Sequence, residues 1–258
     1  MNSSALSHIW TIAKNSYREI IRDRLLYGIF LVGMLVTASS FFAGSISLDQ
    51  SDRVTQNIAV AAIHLFTLFI CIFVATNSMN KDFERRALYL LFPKPISRSS
   101  YVLGKYMGII LLLITSLAIL GGFFAVGALA IKAPLTGLLV NLIYSFLEVS
   151  LLVGFAILFA TFTAPLNAAL YTSALFLIGH SLGTIKSLLD KQGTVLSQNL
   201  VNFCYYLLPN LEKFDIRRAV LYDIYPSTAT ILWTIFYWLF YLVVVLGLSI
   251  KVMQKREV

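Results

Sequence analysis

Long runs of apolar residues alternate with short polar clusters along this chain, and the runs show neither the strict alternation of a half-buried strand nor the stripe of a soluble helix. "LFTLFICIFVA" and "FYWLFYLVVVLGL" are continuously apolar. A membrane barrel would show alternating segments of about ten residues, so the pattern predicts helices. A helix needs about 20 apolar residues to cross a hydrocarbon core of about 30 Å. Six runs qualify, at 25–47, 57–79, 101–126, 139–162, 166–186 and 229–250. The expected fold is an all-α membrane protein, one transmembrane domain over residues 1–258.

Composition agrees: of 258 residues 59% are hydrophobic and 12% charged, about half the charge of an average soluble domain. The first apolar run is too long for a signal-peptide core and its basic residues come late, so this span is expected to remain. Cys71 falls inside a span and Cys204 in a connection, so no internal disulfide is expected. With both termini cytoplasmic, thirteen of the 20 Lys and Arg fall on inner segments. That split predicts the orientation by the positive-inside rule, placing a multi-pass protein in the cell inner (cytoplasmic) membrane. The net charge of +8 then complements an anionic leaflet, and no basic stripe on a soluble domain points to nucleic acid.

The polar segments carry structure of their own. In residues 1–24, Ile9, Ile12, Ala13, Tyr17, Ile20 and Ile21 share one helical face opposite Lys14, Arg18 and Arg22. This predicts an amphipathic helix in the membrane interface, with Trp10 at headgroup level. In 80–100, Phe83, Ala87, Leu90 and Leu91 recur at helical spacing, and Asp82 precedes Arg86 by four. A short amphipathic helix should end at "PKP". Ser97, Ser99 and Ser100 offer caps for the third span, and Lys105 is placed to reach the headgroups. An ordinary anchoring loop and a docking helix for a cytoplasmic partner both fit. The segment 187–228 is expected to be extracytoplasmic, with interfacial helices flanking a polar gap at "DKQGTVLSQN".

Ionisable groups inside spans are costly and usually face protein or water. Glu148 should lie roughly 14 Å into the fourth span, and His64 and His180 each roughly 10 Å below the outer face. Similar depths allow a polar cluster, with interhelical hydrogen bonding, a substrate or proton pathway and a metal site all open. Gly179 and Gly183, like Gly104 and Gly108, stand at the spacing that permits close helix contact.

"DFERRALYLLFPKPISRSSYVLGKYMG" resembles the loop between spans two and three of the type-two ABC transporter permeases. "TIAKNSYREIIRDRLLYG" and "YYLLPNLEKFDIR" are similar to the branch that serves nitrous-oxide-reductase maturation. The resemblance implies a permease working as a dimer or pseudo-dimer with two copies of a cytoplasmic ATPase, which would bind the ATP and Mg. It assigns the coupling segment to Asp82, Phe83, Glu84, Arg85, Arg86, Pro95, Ser97 and Arg98. Gly179 and Gly183 become dimer-interface candidates, and the helices between spans five and six a cap on the outer mouth. Export is the implied direction, with an extracytoplasmic partner left open. No catalytic residue, bound cofactor or metal is expected in this chain. Its Gly104-Lys105 is followed by Tyr106, with Ser99 where a Walker A loop needs its first glycine. An ion-coupled secondary transporter and a noncatalytic membrane scaffold are the alternatives.

Overall fold

The computed structural model describes residues 3–47, 51–84, 97–130, 135, 137–192, 202, 205, 208–217 and 224–255. Among them the chain is helical: α1 Ser3–Ile21, α2 Arg24–Ile46, α3 Ser51–Glu84, α4 Arg98–Ala130, α5 Leu138–Ala160, α6 Pro165–Gln192 and α7 Thr228–Lys255, with a 3₁₀ turn at Leu211–Phe214. Six of these, α2 to α7, are long and apolar enough to cross a membrane. The expected spans are all present. Several run longer than their apolar cores because polar ends such as "NKDFE" extend the helix without changing its period.

Helices α3, α4 and α5 form the centre. Ile63 and Ile70 of α3, Ile109, Leu113 and Leu120 of α4, and Leu151 and Leu152 of α5 are almost wholly enclosed. In the most apolar stretch of α5, 67% of residues are buried within the chain, against 22% in α7 and 28% in α2 and α6. The last three helices therefore turn their leucines and aromatics outward, toward lipid or another chain. Four buried hydroxyls on the spans are answered inside their own helices: Thr37 donates to Gly33 O, Ser116 to Leu112 O, Thr172 to Ala168 O and Ser249 to Val245 O. Hydrocarbon offers no alternative partner.

The corners follow local rules. Thr161 and Thr163 donate to Leu158 O and Phe159 O as α5 ends, and Pro165 opens α6, where its missing N–H is not needed. Gly137 precedes α5 with φ 83°, a left-handed conformation that a side chain rarely adopts. The Ser97 hydroxyl accepts from Ser100 N at 3.2 Å, the cap expected for the third span.

One face of the bundle gathers the ends of several helices. Lys81 at the end of α3 pairs with Asp23 between α1 and α2 at 3.5 Å. Arg98 at the start of α4 donates to Met253 O and Gln254 O at 2.7 and 2.8 Å, placing a cation at the C-terminal end of α7. Both terminal helices thus reach the same face.

One expectation changes and another gains detail. Helix α1 places its apolar face against α4. Gly104 and Gly108 let it approach so closely that an added Cβ would stand 2.7 Å from Ile12 Cβ at the first and 2.9 Å from Ala13 O at the second. Ala13, Ser16 and Ile20 are buried there, while Trp10 stays 57% exposed. Lys105, expected among the headgroups, is 3% exposed and donates to Ser78 Oγ at 3.0 Å. It shares the glycine-bearing turn that α1 covers, so its stem has no route outward.

Gly108→Leu should therefore lift α1 from α4 and destabilise the protein by about 1–3 kcal/mol, the usual range for overpacking. Gly122→Ala, where nothing lies within 4 Å of an added Cβ, should be neutral. Thermal unfolding of the detergent-solubilised protein checks the pair. Equal melting temperatures for both variants would mean that α1 does not dock through these glycines.

Candidate functional site

Asn141, Ser145 and Glu148 lie at i, i+4 and i+7 on α5, so they share one face. Glu148, near the middle of the helix, is 2% exposed. His180 from α6 sets Nε2 2.6 Å from Glu148 Oε1, and His64 from α3 sets Nε2 3.6 Å from Oε2. The opposite ring nitrogen of His64, Nδ1, lies 3.2 Å from Ser145 Oγ. Phe176, one turn before His180, presents its ring edge-on to His180 with centroids 4.7 Å apart and stands 6.3 Å from the His64 ring. The three ionisable groups inferred from depth converge at one junction of three helices. Only His180 is partly open, with 20% of its side chain exposed.

A second element reaches this junction. The chain turns at Leu208–Arg217 between α6 and α7, and it packs beside the helices instead of above them. Asn210 N donates to Tyr237 Oη at 2.7 Å, and Tyr241 Oη donates to Leu208 O at 3.3 Å. Asn210 Oδ1 accepts from Glu212 N and so caps the 3₁₀ turn. Leu211 fills the space over Gly179, and Glu212 covers Gly183. Gly179 is about nine residues inside the end of the apolar part of α6, roughly 14 Å of helix rise. The turn is thus re-entrant.

The turn also carries charge. Arg217 forks onto Asp215, with Nε to Oδ1 at 2.8 Å and Nη2 to Oδ2 at 3.0 Å. Partial burial raises the Asp215 pKa, but the hydrogen bonds and charge of Arg217 outweigh it and hold the carboxyl below its usual range. The same hydrogen bond raises the Arg217 pKa, and its guanidinium is close enough to act on Glu148. Lys213 lies over the Tyr237 ring, 4.1 Å from its centroid. Across the bundle Trp238 Nε1 donates to Ser150 Oγ at 2.8 Å, binding α7 to α5 two residues beyond Glu148.

Gly179 and Gly183 therefore receive a segment of their own chain, and the close contact their spacing permits is filled within the subunit. No local pattern predicts that Asp215 and Arg217 approach the junction; the available signals are the small residues on α6 and the Tyr237/Tyr241 pair at i, i+4 on α7. Of the expected coupling segment, Ser97 and Arg98 cap α4 and tie it to α7. Asp82, Phe83 and Glu84 continue α3, with side chains outside the described residues. Arg85, Arg86 and Pro95 lie outside them entirely. Among the described residues no group of three or more His, Cys, Asp or Glu is arranged to hold a metal. The 2.6 Å separation of His180 and Glu148 is that of a direct hydrogen bond, without room for an ion between them.

Six apolar spans and an ionisable junction buried between three of them define a multi-pass membrane protein. The chain belongs to the ABC-2 transporter family: residues 10–258 match the family described as ABC-2 family transporter protein. It is similar to the "Probable ABC transporter permease protein NosY" of Pseudomonas aeruginosa, with 27% identity over 253 residues, covering 87% of this chain and 90% of that protein. It is accordingly a membrane subunit of an ABC transporter.

Glu148→Gln keeps an oxygen for His180 and adds an amide donor for His64, so folding should survive with little loss. Glu148→Leu faces both imidazoles with hydrocarbon and should cost about 0.6–2 kcal/mol, the range of interhelical hydrogen bonds in membranes. Thermal stability of the purified variants checks the order. A leucine variant as stable as wild type would show that the junction holds nothing together.

Proposed function

We propose that this chain couples ATP hydrolysis on a separate cytoplasmic ATPase to export of a substrate across the cell inner membrane. The reading rests above all on the family match along residues 10–258. It is supported by the dense patch Asp82–Arg98 between the second and third spans, which resembles the segment that docks on the ATPase in such permeases. ATP and Mg would sit in the partner. Two ATPase copies and two permease copies form the working unit, with the exposed apolar faces of α2, α6 and α7 shared between lipid and the second permease.

In this reading the chain makes and breaks no bonds. ATP-driven closure of the ATPases displaces the coupling segment, and the spans rock to open a path toward the opposite face. Because α3 is continuous from Ser51 to Glu84, a push at its polar end is delivered along the helix that carries His64. Both termini and residues 80–100 face the cytoplasm, and 187–228 faces outward, as the distribution of Lys and Arg supports.

Two measurements test this. Single cysteines at Ser99 and Thr228 should be labelled from opposite sides of the membrane; labelling from the same side sinks the six-span topology. Replacing Glu84 and Arg85 together by Ala should leave membrane insertion at the wild-type level and abolish copurification with the partner ATPase, since truncating desolvated interface charges costs about 2–5 kcal/mol. Lys132→Ala should leave both insertion and copurification at the wild-type level. Full ATPase binding by the double variant would reduce the segment to a membrane anchor.

A further inference from the structure

His64 Nε2 is buried without a hydrogen-bond partner, although Glu148 Oε2 stands 3.6 Å away. When Nδ1 carries the ring proton and donates to Ser145 Oγ, a lone pair on Nε2 faces a lone pair of the carboxylate. One proton between them turns that repulsion into a charge-assisted hydrogen bond. At the other oxygen of Glu148 the contact to His180 is already short, and His180 is the partly open end of the series: 20% of its side chain is exposed against 3% for Glu148.

The re-entrant turn supplies the second observation. Irregular backbone and charged side chains occur at membrane depth only where they are enclosed by protein or face water. Leu211 and Phe214 are enclosed, but Glu212 and Lys213 are exposed. Glu212 stands over Gly183, one turn along α6 from His180. A charged carboxylate in that place requires a polar notch between α6 and the turn.

We propose that His180, Glu148 and His64 form a proton-binding series loaded from the face opposite the termini through the notch beside the Leu208–Arg217 turn. A proton taken up on the His180 ring releases the one on Nε2 to Glu148 Oε1. When the carboxyl group rotates by half a turn, that proton faces His64 Nε2 and transfers to it. One proton moves, no electron is exchanged, and the carboxylate is regenerated.

The surrounding charges suit this. Asp215 and Arg217 neutralise each other beside the junction. The Arg217 charge acts on Glu148 and the Asp215 charge on His180. Glu212 and Lys213 stand on the same turn, α7 contributes Tyr237 and Tyr241, and α4 contributes Tyr106 at Ser150. The site is independent of whether ATP drives transport: it requires only that protons reach the junction from one side.

Nitrogen-15 NMR of the histidine-labelled, full-length protein in lipid nanodiscs tests it, because there are only 3 histidines and His8 on α1 serves as reference. The His64 and His180 resonances should both shift with pH, and each should respond to the protonation of the other, as coupled sites do. Glu148→Gln should remove the coupling. His180→Ala should slow proton exchange at His64 at least tenfold in a protein that still elutes as a folded particle.

Access is read separately in liposomes with Glu212→Cys in a Cys204→Ser background, Cys71 being buried. A charged, membrane-impermeant thiol reagent should label it from the face opposite the termini, and should leave Leu177→Cys, 64% exposed on the outer surface of α6, unlabelled. Unchanged exchange at His64 in His180→Ala, rings silent across the pH range, or labelling of Glu212→Cys from the terminal face alone would each overturn the proposal.

Discussion

A carboxylate that is 2% exposed near the middle of a membrane-spanning helix must have its charge answered by protein, because neither lipid nor bulk water can reach it. Here the answer comes from two imidazoles on two other helices. Glu148 has two oxygens, and each faces one ring, so α3, α5 and α6 are held in a single register by groups only 2.6 and 3.6 Å apart. Apolar packing between spans has no such selectivity, since leucine against lipid and leucine against leucine are nearly equivalent there. The junction therefore fixes which turn of α3 meets which turn of α6, and the lengths of the helices on either side follow from that alignment.

Small residues do the complementary work of bringing backbones together. Gly104 and Gly108 seat α1 on α4, while Gly179 and Gly183 seat the 3₁₀ turn on α6. The second pair matters for the junction, because a side chain at either position would drive Leu211 or Glu212 away. Asp215 and Arg217 would then withdraw from Glu148 and His180. Position along α6 thus decides both who pairs with the carboxylate and which charges lie beside it.

Much of this was legible in the residues. Six spans followed from runs such as 139–162, whose helix is Leu138–Ala160, because an all-apolar run of that length has one stable state in hydrocarbon. The convergence of Glu148, His64 and His180 was legible as equal depth, since rise per residue turns sequence distance into height. Height does not give azimuth. That is why the GxxxG pair on α6 was legible as a close contact but not as the seat of its own chain's 3₁₀ turn, and why Lys105, at the right height for headgroups, lies buried against Ser78. The re-entrant turn was least legible: "PNLEKFDIR" reads as a surface segment, and nothing local in it encodes the tyrosines of α7 that receive it.

Helix α3 joins these features. It carries His64 at the junction and Lys81 at the terminal face, with Asp82, Phe83 and Glu84 of the proposed coupling segment continuing it. A helix of 34 residues without proline is stiff over that distance. Its Thr76 hydroxyl bonds back to Ile72 O and its Asn77 amide to Phe73 O, so these polar groups are answered within the helix. A displacement imposed at the Lys81 end must therefore either bend the helix or shift His64 relative to Glu148. The 3.6 Å contact is the looser of the two at the carboxylate and the one with an unpartnered nitrogen, whereas His180 is bound at 2.6 Å. The weaker side of the junction is the side that α3 controls.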